Sequence, residues 1–403
     1  MHTQVFFLVL IAVLLAARIL GELVARLGAP AVIGELLAGI LLGPSLLGWA
    51  EPTNSLRLLS EIGIVLLLFE VGLETDVLRL VKTGLQPFIV ATAGFAMPLA
   101  LGYALSHYLF SQGGVASLFV GGTLTATSIG ITVRMLTDVR RNASDEAQVV
   151  LGAAVIDDVL GVVLLAFLYQ STTRGGHIDF AAAGKVLLFV ALFLVLAPIA
   201  ARAIAGIIER FNRVSQIPGL IPTTVVSLVL FFAWLANEVD APQLLGGFAA
   251  GLALSRRFRW PFGSDARPDA GFTAEVERAM RPIIHLFAPI FFVMVGLSLN
   301  LRIIDWSSPF VWAFALSLFA VAVVGKIAAG FLVRRPYLSR LAIGMAMIPR
   351  GEVGLIFVAL GQSTGILNGT LSAVLVLVIA FSTLLPPFAM KWFYVRYAAQ
   401  LSG

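Results

Sequence analysis

The apolar residues of this 403-residue chain gather into thirteen windows separated by short polar loops, and most windows are long enough to cross a bilayer. About 20 residues at 1.5 Å of rise match the roughly 30 Å hydrocarbon core. Lipid offers the backbone no hydrogen-bond partner, so each crossing segment must close its own N–H and C=O groups as a helix. The chain is therefore restricted to an all-α polytopic membrane protein. The windows run over 4–26, 30–48, 56–80, 85–110, 116–138, 146–171, 180–207, 218–237, 242–256, 277–300, 309–333, 341–362 and 370–394. Only 12% of residues are charged, against roughly 25% in soluble domains. The net charge of +5 does not point to nucleic acid, because the basic residues lie in short loops between apolar spans. Cysteine is absent, which excludes disulfides, thiolate metal sites and thiol catalysis. The first window follows Met1-His-Thr-Gln4 without a basic stretch, so it reads as a first spanning helix and not as a cleaved leader.

Alternate loops separate by charge. One side collects Arg26, Arg79, Lys82, Arg140, Arg141, Arg210, Arg213, Arg256, Arg257, Arg259, Arg334, Arg335, Arg340, Lys391 and Arg396, while the other holds little beyond Arg57, Arg174 and Arg302. The positive-inside rule makes the first side cytoplasmic, with the N-terminus outside and the C-terminus inside a cell (inner) membrane.

The chain also repeats itself in order. Ala29-Pro-Ala-Val-Ile-Gly-Glu-Leu-Leu-Ala-Gly39 matches Ala241-Pro-Gln-Leu-Leu-Gly-Gly-Phe-Ala-Ala-Gly251, and the stretch around Gly72 matches that around Gly296. These windows are seven apart, so they cross in opposite directions. Two inverted six-helix repeats follow, helices 1–6 and 8–13, linked by helix 7. Inverted repeats are the usual build of secondary transporters, whose sites lie near the midplane. Carrying the offset forward sets Thr127 and Ser128 of the fifth window against Gly351 and Glu352 of the twelfth. Both neighbourhoods are poor helix interiors. Thr125-Ala-Thr-Ser-Ile-Gly130 concentrates hydroxyls, and Ile348-Pro-Arg-Gly-Glu-Val-Gly354 carries Pro349, which removes a backbone donor. Interrupted segments at matching positions of two halves point to a binding site. The Thr127 and Ser128 hydroxyls either supplement unwound carbonyls around a cation or bond back to their own preceding turn.

The buried charges belong to the same region. Asp157 and Asp158 sit side by side in an apolar segment, where each ionised carboxylate costs at least about 2.5–3.5 kcal/mol. Lys326 in the eleventh window and Arg350 with Glu352 in the twelfth lie at similar depth, so the charges nearly balance. Neighbouring helical residues point about 100° apart, so one acid pairs with Lys326 and the other faces the pocket. Arg350 and Glu352 read as locks on the broken helix, compensating its dipole ends. Glu70 lies deep in the third window with no partner evident from sequence, and His107, His177 and His285 lie near segment ends.

With these motifs, the chain resembles the cation:proton antiporter superfamily, specifically the bacterial two-aspartate Na+/H+ exchangers of the branch that also contains the glutathione-gated potassium efflux systems. The matching pieces are Gly34-Glu-Leu-Leu-Ala-Gly-Ile-Leu-Leu-Gly-Pro44, Leu67-Leu-Phe-Glu-Val-Gly-Leu-Glu74, Thr125-Ala-Thr-Ser-Ile-Gly-Ile-Thr132, Ala154-Val-Ile-Asp-Asp-Val-Leu-Gly161, Lys326, and Met347-Ile-Pro-Arg-Gly-Glu-Val-Gly-Leu-Ile356. The resemblance implies one membrane domain over 1–403, with a dimerisation scaffold over 1–84 and 180–305 and a mobile core over 85–172 and 306–403. It implies that discontinuous helices 5 and 12 cross, that the core moves as an elevator, and that the protein is a homodimer. It implies that Asp158 binds Na+ or a proton and that Asp157 pairs with Lys326. Pro349, Arg350, Gly351, Glu352 and Gly130 would shape the broken helices.

The expected activity is exchange of Na+ or Li+ for H+, serving pH homeostasis, with no cofactor and no enzymatic chemistry. The potassium efflux branch typically has Gln-Asp in place of Asp157-Asp158 and appends a nucleotide-binding domain, of which this chain shows no Gly-x-Gly-x-x-Gly sign. A K+/H+ antiporter or potassium efflux protein is the nearest alternative. A sodium-coupled organic-acid symporter shares crossed broken helices but needs substrate-recognition groups that do not stand out. An intramembrane aspartyl protease needs its two acids on separate helices, and these are adjacent.

Overall fold

In the computed structural model of the protein, the described residues are 3–27, 29–74, 84–173, 219–238, 242–255, 270–397 and 400, with part of 192–210. The seventh window, 180–207, lies largely outside them, as do Arg79, Lys82, Arg174, His177, Arg213, Arg256, Arg257 and Arg259. The described chain is helical throughout its regular parts. It runs through α1 (Thr3–Arg26), α2 (Ala31–Leu42), α3 (Asn54–Glu74), α4 (Gln86–Ala104), α5 (Gly114–Thr123), α6 (Ile129–Asp138) and α7 (Asp145–Thr173). It continues through α8 (Leu220–Glu238), α9 (Gln243–Leu254), α10 (Ala270–Ser298), α11 (Pro309–Phe331), α12 (Tyr337–Ala346), α13 (Glu352–Ser363) and α14 (Gly369–Tyr397).

Among the described residues, seven helices are long and apolar enough to cross a membrane unaided. Of the six remaining windows, the seventh lies largely outside the described residues, and physical causes account for the other five. The second and ninth windows yield only the 12-residue helices α2 and α9, because Pro30 and Pro242 precede them and Gly43 ends the first. The fifth and twelfth windows are each interrupted, giving α5 with α6 and α12 with α13. The third carries Arg57, Glu61, Glu70 and Glu74 within α3. The first break falls over 124–128, slightly earlier than its sequence suggested, and leaves Gly130 inside α6. The second falls over 347–351, with Pro349 in its middle.

The chain divides into two compact units. The first comprises Met1–Thr53, Leu85–Asp179 and Phe292–Gly403. Within it α2 meets the end of α10 at glycine: a Cβ on Gly39 would collide with the Val293 carbonyl, and one on Gly296 with the Leu36 carbonyl. Small residues of this kind let helix backbones touch, which packing in lipid favours. Two apolar clusters fill the rest of the unit. One joins α5, α13, the first half of α14 and the first half of α11 around Phe119, Phe314, Phe357 and Leu375. The other joins α6, α12, the start of α7 and the end of α14 around Met135, Val149, Ile343 and Phe393. Each broken helix sends one half into each cluster, so both breaks lie between two dry layers.

The second unit comprises Asn54–Gly84 and Phe180–Phe291. Its α3 and α9 cross at Gly72 and Gly251, where an added Cβ would strike the Phe248 and Phe69 carbonyls respectively. Gly246 of α9 rests on the Phe232 carbonyl of α8 in the same way that Gly34 of α2 rests on the Leu20 carbonyl of α1 in the first unit.

Candidate functional site

A helix that stops inside a dry protein leaves backbone donors and acceptors that need partners. Here the two breaks satisfy each other. The Ser128 N–H donates to the Pro349 carbonyl at 2.8 Å, and the Thr127 hydroxyl donates to the Met347 carbonyl at 3.0 Å. One turn on, the Thr132 hydroxyl reaches the Ala346 carbonyl at 2.8 Å. In the other direction, the Arg350 guanidinium donates from Nη1 to the Ala126 carbonyl at 3.1 Å. The Thr383 hydroxyl of α14 closes the Arg350 carbonyl at 2.6 Å. Proline and glycine make the crossing possible. Pro349 has no N–H to satisfy, and a Cβ on Gly351 would stand 2.6 Å from Ser128 Oγ and 2.9 Å from its Cβ.

The charged residues converge on this crossing. Asp157, in the middle of α7, accepts at Oδ2 from the Thr127 backbone N–H at 3.0 Å and from Lys326 Nζ at 2.9 Å. Asp157 and Lys326 are both 0% exposed, so neither charge has water to fall back on. Lys326 lies on α11 against α4, its stem passing Gly94, where an added Cβ would sit in ordinary contact at 3.5 Å from Lys326 Cδ. Pro98 of α4 packs on Gly325 beside it. Asp158 is buried on the neighbouring face of α7, and Gly161, one turn further along, faces Val353 of α13. Arg350 is 0% exposed and within electrostatic reach of Asp157. Two buried acids thus stand with two buried bases, as a low-dielectric interior requires.

At the centre, Asp157 Oδ1, Ser128 Oγ and the Arg350 Nε and Nη2 atoms are buried without a hydrogen-bond partner among the described residues. Buried polar atoms are nearly always bonded, so these acceptors and donors beside the broken-helix crossing leave bonding capacity for water or a small ion. The sequence candidates Asp157, Asp158, Thr127, Ser128, Lys326, Pro349, Arg350 and Gly351 all lie at or next to this crossing. Gly130 lies inside α6, and the Glu352 side chain falls outside the described residues.

The sequence reading passed over a second buried group. Glu35 of α2, only 2% exposed, lies 3.5 Å from Arg134 of α6, whose Nε in turn lies 3.7 Å from Asp138. Asp138 also takes the backbone N–H of Ala31 at the start of α2. The signal was available as three charges inside windows too apolar to hold them idly. Ala126 and Thr383 were missed for a different reason, since one acts through its carbonyl and the other through a single hydroxyl.

Comparison with known proteins agrees with this architecture. Residues 9–395 match the family model described as sodium/hydrogen exchanger, transmembrane. The chain is 33% identical to the high-affinity Na(+)/H(+) antiporter NhaS3 of Synechocystis, covering 94% of this chain and 88% of that protein. It is 32% identical to the Na(+)/H(+)-K(+) antiporter GerN of Bacillus cereus, covering 96% of each. In structure it is similar to the sodium proton antiporter MjNhaP1 of Methanocaldococcus jannaschii, with a TM-score of 0.69 at 15% identity over 100% of this chain and 99% of that one. The relatives are transporters and not enzymes, and the fold is theirs. With a family model that spans nearly its whole length, this chain belongs to the sodium/hydrogen exchanger family of integral membrane proteins.

Proposed function

We propose that the protein is a secondary antiporter exchanging Na+ for H+ by alternating access, with Asp158 carrying ion or proton and Asp157 held by Lys326. Li+ would follow the Na+ route. The reading rests on one observation: two broken helices cross against a fully buried Lys326–Asp157 pair at 2.9 Å, with Asp158 beside it. Na+ and H+ compete for the same carboxylate there. Moving an ionised, unpaired carboxylate through the closed protein is costly, whereas the neutralised site crosses more easily. That difference enforces exchange over leak. If Na+ binding makes both Asp158 and Lys326 release a proton to the water on one side, and both take one back on the other, two protons oppose one Na+ and each turnover moves one net charge. Each net charge then couples to about 2.3 kcal/mol per 100 mV.

The same proposal carries the finer architecture. Thirteen helices would form two inverted repeats, 1–6 and 8–13, around helix 7. The support is the matched glycine contacts, Gly39 on the Val293 carbonyl and Gly251 on the Phe69 carbonyl, at positions that the internal alignment pairs. The scaffold would be 1–84 with 180–305, and the elevator core 85–172 with 306–403, in a homodimer with the N-terminus outside and the C-terminus cytoplasmic. Most members of the two apolar clusters that enclose the crossing fall in the core ranges, while Ile40, Leu299 and Ile304 join them from the scaffold ranges.

K+ is a second reading, favoured by the near full-length similarity to GerN, which is named for Na+, H+ and K+. Transport into proteoliposomes decides between them. With a pH gradient imposed and voltage clamped, Na+ and Li+ added in turn should dissipate the gradient, and K+ should do so much less. Equal or greater response to K+ favours the second reading, and no response to any alkali ion rejects both.

A further inference from the structure

Near its end α14 turns one face outward through a pocket of about 350 Å3, within the roughly 300–1,000 Å3 of small-ligand sites. Phe388, Lys391, Trp392, Val395 and Arg396 line it at helical spacing, with Ala29 and Pro30 of the α1–α2 turn as the opposite wall. The helix has 29 residues, and about 20 suffice to cross hydrocarbon. The surplus lets one end reach the headgroup layer, and Lys391, Trp392 and Arg396, all within the last seven residues, mark this end as the one that does. Phe388, Trp392 and Val395 are 47%, 66% and 73% exposed, so the walls are apolar and open. Neither Lys391 nor Arg396 makes an ion pair with a described residue, yet both face the same space.

A free anion would meet the two cations and leave those apolar walls wet. A lipid fills both needs, its phosphate on the cations and its acyl chains along the aromatic face. Basic pockets at the membrane surface that combine these features hold anionic headgroups, and Trp prefers this depth. We propose that this pocket is a binding site for one anionic phospholipid, a second ligand site independent of the ion-binding crossing. Its occupant would brace the α1–α2 turn against α14. It would also neutralise Lys391, whose charge acts on Asp138, and so reach the Glu35–Arg134–Asp138 group at the start of α2.

Native mass spectrometry of the protein released from phosphatidylcholine micelles, with dioleoylphosphatidylglycerol titrated in, tests the site. Wild type should retain one phosphatidylglycerol adduct, and Lys391→Gln with Arg396→Gln should weaken it about 30-fold, a factor of about five for each basic side chain at a lipid surface. A control pair, Arg278→Gln with Arg281→Gln on α10, removes equal charge elsewhere and should keep the adduct. If the double variant does not fold, the two single variants should each weaken binding about fivefold. Equal adducts in wild type and the Lys391/Arg396 variants would overturn the proposal, and so would equal loss in the α10 control. Displacement of the lipid by millimolar inorganic phosphate would make the ligand a free anion and would also overturn it.

Discussion

Lys326 and Asp157 are the most consequential residues to alter, because burial leaves each dependent on the other. Removing one member of a buried pair costs roughly 3–5 kcal/mol. Lys326→Gln should therefore lower thermal stability sharply, and solid-supported-membrane current separates two uses of the lysine. If Lys326 also cycles a proton, the surviving exchange should move less charge per Na+ than wild type at matched protein density. An undiminished charge per turnover in a destabilised variant would leave Lys326 a structural role only. At this scale the sequence was informative about which residue types matter, since acids in an apolar span advertise themselves. It could not say which of two adjacent acids faces Lys326, because that depends on the rotation of α7 against α11. It showed Glu35, Arg134 and Asp138 as charges within apolar windows but not that they belong together, since they come from α2 and α6 and meet only in the fold. Glu35→Gln should weaken that link, and hydrogen exchange at the start of α2 should rise while exchange in α9 stays unchanged.

Helical elements here are defined as much by where they stop as by where they run. The crossing tolerates no side chain at residue 351. Gly351→Ala places a carbon 2.6 Å from Ser128 Oγ, and overpacking of this kind costs about 1–3 kcal/mol. Melting temperature and transport should both fall, and Ser128→Gly in the same chain should recover part of the loss. Failure of the second change to help would place the strain elsewhere. Both interruptions were legible in the sequence from proline, glycine and hydroxyl content, but their limits were not. A break ends where tertiary partners take over the free backbone groups, and Met347, Ala126 and Ala346 offer only carbonyls. The loop before α11 illustrates a smaller element. Asp305 accepts from the Ser307 N–H at 3.0 Å and from its hydroxyl at 2.6 Å, and these bonds hold its carboxyl below the usual carboxylate range. A depressed pKa adds stability above the unfolded value and loses it as pH falls through the folded one. Asp305→Asn should remove that acid dependence, read from melting curves at falling pH, and leave neutral-pH transport unchanged.

For the whole molecule, the number of apolar windows and their loop charges were enough to call for a polytopic helical protein, and the internal matches were enough to suggest duplication. Sequence alone could not weigh α2 and α9, whose 12 residues fall short of a bilayer crossing and depend on neighbours for their place. Orientation is open to direct test because the chain has no cysteine. A single cysteine placed near Arg335 should resist an impermeant reagent outside intact cells and react in inverted vesicles. The central claim is that one buried acid carries both ion and proton, and Asp158→Asn in proteoliposomes reaches it most directly. The account predicts a folded protein whose Na+-dependent dissipation of an imposed pH gradient is lost. Wild-type exchange by a well-folded Asp158→Asn protein would contradict it.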